Sequence, residues 1–132
     1  MTNQIKRFII VDDDPQNNFL AKMILKKSLG EVEIKDFLVP EEALEFIRTE
    51  FGHQTNNEIT TIFLDINMPT LTGWEFLIEF NAFTVEIKNQ IKIYMISSTV
   101  DPGDIERAKL NPLIIDFMEK PLNKALLTKM FG

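Results

Sequence analysis

The apolar run "FIIV" stops at two acids, Asp12 and Asp13, with Asp14 and Pro15 directly behind them. A second run, "TIFL", stops at Asp65. A third, "IKIYMI", stops at Ser97, Ser98 and Thr99, and Lys120 follows "IIDFME". Gathered in space, three carboxylates are a costly arrangement. Two unit charges about 4 Å apart repel by roughly 1 kcal/mol in water and about 4 at an effective dielectric of ~20. A hard divalent cation removes that cost, because Mg2+ takes octahedral oxygen ligands and is usually held by one or two carboxylates. A carboxylate can also act as a nucleophile. An ammonium and a hydroxyl beside it would offset the negative charge that such an attack brings together.

That chemistry needs elements that deliver these residues to one place. Ile5 to Val11 is short, apolar and rich in β-branched residues, which suits a buried strand. Pro15 fits the first turn of a helix, with Asp14 as its N-cap. Phe19, Leu20, Met23 and Ile24 recur at helical spacing up to Gly30, a stop signal. "VEIKDF", Val32 to Phe37, alternates like an edge strand. Pro40, Glu41 and Glu42 start a second helix, with Ala43, Leu44 and Ile47 as its apolar stripe.

Residues 52 to 58 form a polar loop containing the only histidine, His53. Thr60 to Leu64 is predicted as a strand, and a helix opens at Gly73 or Trp74 and runs to about Val85. Ile91 to Ile96 is a strand. Pro102 to Leu110 is a helix with Ile105 and Ala108 inward, and Leu113 to Phe117 is the last strand. Asn123 caps a final helix carrying Leu126, Leu127 and Met130. Strand and helix therefore alternate throughout. The expectation is a doubly wound α/β fold, a five-stranded parallel sheet with five helices on its two faces. Ligands of such sheets sit beyond the carboxyl ends of the strands. Asp12, Asp13, Asp65, Ser97 and Lys120 all fall at those ends.

Composition narrows the classes. The 132 residues carry a net charge of −6, which gives no basic footprint for direct nucleic-acid binding. There is no cysteine, which excludes disulfides, thiolate zinc sites and cysteine nucleophiles. One histidine cannot build a multi-histidine metal site. No run of about 18 apolar residues is present, so no membrane insertion is expected. The N-terminus lacks a signal-peptide layout, and a cytoplasmic location is the expectation. The length suits a single domain over 1–132 with no output domain, as a stand-alone protein.

"VDDDP", "FLDINMPTLTG", "MISSTV" and "FMEKPL" stand in the order and spacing of the response-regulator receiver domain. The chain resembles that family from Ile5 to about Met130. The resemblance implies a flavodoxin-like strand order of 2-1-3-4-5. It makes Asp65 a phosphoacceptor, charged by a sensor histidine kinase or a phosphotransfer protein. It implies Mg2+ or Mn2+ held directly by Asp13, Asp65 and the backbone carbonyl of Asn67, and by Asp12 through water. Lys120 and Ser97 would assist catalysis. Ser97 and Phe117 would be the switch pair, Asn67 and Thr99 would tune dephosphorylation, and Lys120–Pro121 would be a cis peptide. A downstream protein would read the face formed by the fourth helix, fifth strand and fifth helix. Such a chain is a signalling phosphoacceptor rather than a turnover enzyme.

Plainer readings stand beside these roles. Asp14 fits a helix cap better than a ligand. Phe117 and Trp74 also suit ordinary core packing, and a one-place slip moves the switch hydroxyl to Ser98. Two other functions compete. One is a degenerate receiver that only binds partners. The other is an aspartate-nucleophile phosphatase of the haloacid dehalogenase type, whose D-x-D pattern is broken here by Asn67.

Overall fold

The computed structural model describes residues 5–52, 58–99 and 101–132, so His53 and most of its loop lie outside the described residues. The strands are β1 (Lys6–Val11), β2 (Val32–Phe37), β3 (Thr60–Asp65), β4 (Ile91–Ser97) and β5 (Ile114–Glu119). The helices are α1 (Pro15–Leu29), α2 (Pro40–Phe51), α3 (Gly73–Asn81), α4 (Val85–Lys88), α5 (Pro102–Leu110) and α6 (Lys124–Phe131). All strand pairs are parallel, in the order β2-β1-β3-β4-β5. Strand order reverses between β1 and β3, which is where a crevice opens at the carboxyl ends.

Successive strand residues face opposite sides, and each side has its own core. Ile9, Val11, Ile62, Leu64, Ile93 and Met95 pack with apolar residues of α2, α3, α4 and α5. Phe8, Ile10, Phe63, Tyr94 and Ile96 pack with α1 and α6 through Ala21, Leu25 and Leu127. Because both faces are covered, β3 is buried along its whole length. Its continuous apolar run follows from that.

β3 and β4 each run one residue past their expected ends, to Asp65 and Ser97, and four larger differences stand beside these. Among the described residues there are six helices rather than five, because the stretch read as one helix to Val85 breaks. Ala82 and Phe83 close the end of α3 with bonds to Glu79 and Phe80 carbonyls. Thr84 then caps a separate short helix by accepting from the Ile87 N–H. The last strand runs from Ile114 to Glu119 rather than from Leu113 to Phe117. Asn111 holds the Leu113 N–H in a turn, which delays entry into the ladder. The first strand begins at Lys6, leaving Ile5 exposed. In α1 the buried face is Asn18, Ala21 and Leu25, whereas Phe19 and Leu20 of the expected stripe point outward.

Gly30 ends α1 with a φ of 80°, a conformation that favours glycine. Gly73 is needed for another reason. Its N–H donates to the Ile66 carbonyl at 2.8 Å, drawing α3 against the end of β3. A Cβ there would lie 2.6 Å from the Asp65 carbonyl oxygen and 3.0 Å from Ile66 Cα. Gly73→Ala is therefore expected to cost about 1–3 kcal/mol of stability in urea denaturation. Gly103→Ala is the control. Its nearest neighbour would be an Asp101 side-chain oxygen at 3.3 Å, and stability should change little.

Candidate functional site

The end of β1 is held by β2 and by the turn into α1. The Asp12 N–H donates to the Phe37 carbonyl at 3.1 Å, tying the strand end to β2. The Asp14 N–H donates to Asp12 Oδ1 at 3.0 Å. Asp14 itself caps α1, accepting from the Gln16 N–H at 2.9 Å. The three adjacent acids are thus separated by role: Asp12 is buried, Asp13 is exposed, and Asp14 belongs to the helix.

Lys120 arrives from the opposite edge. Its N–H donates to the Ser97 carbonyl at 2.8 Å, which extends the β4–β5 pairing past the strand end. The following Lys120–Pro121 bond is cis. The ammonium lies 2.7 Å from Asp12 Oδ2 and 3.2 Å from Asp65 Oδ1. Both acids are almost fully buried, at 1% and 5% exposure. Carboxylate oxygens of Asp12, Asp13 and Asp65 all lie within 4.8 Å of one another. Three hard oxygen donors at that separation, one of them open to solvent, fit a divalent cation of the Mg2+ or Mn2+ type.

The electrostatics follow from this packing. Burial, and then the charge of Asp12, push the Asp65 carboxyl up to about 6, against the opposing pull of Lys120 and the Asn67 N–H. Burial alone would lower Lys120. The hydrogen bond and charge of Asp12, with the charge of Asp65, outweigh it and raise the ammonium above its ordinary value. Asp65 therefore binds its proton more tightly in the folded protein than in the unfolded chain. Stability should fall as pH rises from about 4 through about 6, by on the order of 2–3 kcal/mol. Urea denaturation of the metal-free protein across that range checks this, and Asp65→Asn should remove that component.

Ser97 is buried at the end of β4, where its hydroxyl oxygen accepts the Thr99 N–H at 3.2 Å. The two hydroxyls lie 3.3 Å apart. Asn67 and Thr99 are exposed at the rim, and Ser98 is exposed as well. Phe117 is half-buried within β5, opposite Met95, and packs on the larger core. Trp74 is buried in that core with the Arg107 guanidinium 4.3 Å above its ring.

Two buried amides escape a reading by residue type. Asn18 is 1% exposed, and its Nδ2 donates to the Asp12 carbonyl at 3.1 Å. Its spacing from Ala21 and Leu25 was the available signal. Gln90 links the Phe51 and Glu86 carbonyls through Nε2. No periodicity marks it, since it precedes its strand.

A doubly wound parallel sheet with carboxylates and an ammonium converging at its switch point defines a class, and comparison with known proteins gives its family. Residues 8–131 match the family model of the response regulator receiver domain. The chain belongs to that family. A response regulator receiver protein from Dyadobacter fermentans is 34% identical, with a TM-score of 0.85 over 95% of this chain and 94% of its own. A two-component response regulator from Cytophaga hutchinsonii is 26% identical, with a TM-score of 0.84 over 98% and 96%. A CheY-like receiver domain from Methanospirillum hungatei, at 24% identity and a TM-score of 0.72 over 96% and 90%, shares the fold. No curated protein matches the chain.

Proposed function

We propose that this receiver domain accepts a phosphoryl group on Asp65 from the phosphohistidine of a sensor histidine kinase or phosphotransfer protein. The observation that carries this reading is the buried Asp65 carboxylate, 3.2 Å from the Lys120 ammonium and grouped with Asp12 and Asp13. An Asp65 oxygen forms the new bond to phosphorus. The donor's N–P bond breaks, and its electron pair leaves on the imidazole. Lys120, tethered to Asp12, stays poised to neutralise oxygen charge at that point. Asp13, Asp65 and the Asn67 carbonyl would hold Mg2+ or Mn2+, with Asp12 acting through water, and the cation would supply further neutralisation of the phosphoryl oxygens.

The phosphoryl group then offers new acceptors. Ser97 gives up its Thr99 contact to donate to one of them, and Phe117 turns inward. Asn67 and Thr99 at the rim set how readily water reaches the acyl phosphate. The altered face is α5–β5–α6, where Leu110, Ile115 and Leu126 are exposed and available to a protein partner. The net charge of −6 opposes direct binding to nucleic acid. Among the described residues no helix is long and apolar enough to cross a membrane. We place the protein in the cytoplasm, where ATP-dependent kinases act. The chemistry is self-catalysed uptake and loss of one group, not turnover of phosphate esters.

The test is incubation with a small acyl phosphate and Mg2+, followed by intact mass measurement. One added phosphoryl group per chain is expected, and chelation should prevent it. A folded protein that stays unlabelled at saturating donor would instead be a binding module. Steady hydrolysis of generic phosphate esters would make it a phosphatase.

A further inference from the structure

Asp13 is the exposed member of the acid cluster, so its position depends on the backbone that carries it. The peptide plane leading into Asp13 contains the Asp12 carbonyl. That carbonyl stands at the end of β1, past the last ladder pair of the strand, and accepts from Asn18 Nδ2 at 3.1 Å. The same Nδ2 lies 3.5 Å from the Phe37 carbonyl, which also takes the Asp12 N–H. Residue 12 is therefore gripped at both backbone ends, by β2 on one side and by the first turn of α1 on the other. The amide nitrogen carries two N–H donors and so can satisfy both carbonyls without adding charge, whereas a carboxylate would repel both. Asn18 is 1% exposed, and its Nδ2 bonds to backbone carbonyls rather than to a carboxylate of the acid cluster.

We propose that Asn18 is a positioning residue: by fixing the Asp12–Asp13 peptide plane, it sets the Asp13 carboxylate for divalent-cation binding. This rests on the phosphoacceptor reading above. Groups that orient metal ligands from behind typically govern affinity by 10–100-fold. The cost of removing Asn18 thus falls on metal binding, beyond any general loss of stability.

The experiment titrates Mg2+ by calorimetry into wild type, Asn18→Ala and Asn18→Ser, with urea stability of each measured without metal. The serine variant keeps one donor of shorter reach and replaces the alanine variant if that one does not fold. The expected result is a Mg2+ Kd raised roughly 10-fold or more in the alanine variant and less in the serine variant. Excess Mg2+ should then restore acyl-phosphate labelling. A Kd within about twofold of wild type in a folded variant would overturn the role of Asn18 and leave the phosphoacceptor reading standing. A wild type that neither binds Mg2+ nor takes the label would overturn both.

Discussion

Replacing Lys120 by methionine is expected to destabilise the metal-free protein by about 3–5 kcal/mol at neutral pH, because it strands two buried charges at once. Asp12 and Asp65 share this one ammonium, at 2.7 and 3.2 Å, and are 1% and 5% exposed. Methionine nearly matches the lysine stem in volume, so the loss is of charge rather than packing. The remaining carboxylates repel, and the Asp65 carboxyl should rise further above its value of about 6. Two remedies should recover part of the stability. Lowering the pH to about 5 protonates Asp65, and millimolar Mg2+ supplies a replacement cation. Urea denaturation of the variant under the three conditions checks this. A loss below about 1 kcal/mol, unchanged by acid or metal, would mean that the ion pair contributes little.

Asp65→Asn should move the other way in stability and remove the activity. At neutral pH the folded protein holds an ionised carboxylate whose carboxyl sits near 6 rather than 3.8. At ~1.4 kcal/mol per pKa unit, relieving it is worth on the order of 2–3 kcal/mol in the metal-free protein. Lys120 keeps Asp12 as its partner in the variant, so no new buried charge is left alone. The amide lacks a nucleophilic oxygen anion, and acyl-phosphate labelling should fall by roughly two orders of magnitude or more. The pair of results would show strain held at a reactive group. A variant that is both less stable and still labelled would deny Asp65 that role.

The sheet was legible because its three central strands are largely buried on both faces. "FIIV", "TIFL" and "IKIYMI" cannot be solvent-facing, and their closing polar residues then mark the carboxyl edge. The doubly wound architecture followed, whereas the strand order came only with the resemblance to the receiver family. Boundaries were less legible where side chains redirect the backbone. Thr84 restarts a helix after a break at Ala82 and Phe83, and Asn111 holds Leu113 in a turn. Neither effect registers in apolar periodicity. The α1 stripe misled because Phe19 and Leu20 are apolar yet outward, while a polar residue, Asn18, lies inward. A polar residue in a first turn reads as a cap. Its true partners, the carbonyls of Asp12 and Phe37, are 6 and 19 residues away in the chain.

Pairing is also more specific than strand ends alone reveal. Lys120 contacts Asp12 more closely than Asp65, so the ammonium serves Asp12 first. Ser97 is likewise turned to Thr99. Both groups must redistribute when phosphate arrives, which is the content of the proposed switch.

In the proposed reaction the phosphoryl group sits on the Asp65 carboxylate. Borohydride reduces an acyl phosphate to an alcohol and leaves free carboxylates intact. Labelling with a small acyl phosphate, reduction and peptide sequencing by mass spectrometry should therefore find homoserine at position 65 and aspartate at positions 12 and 13. Homoserine at Asp12 or Asp13, or phosphate stable to borohydride on Ser97 or Thr99, would mean that Asp65 is not the phosphoacceptor.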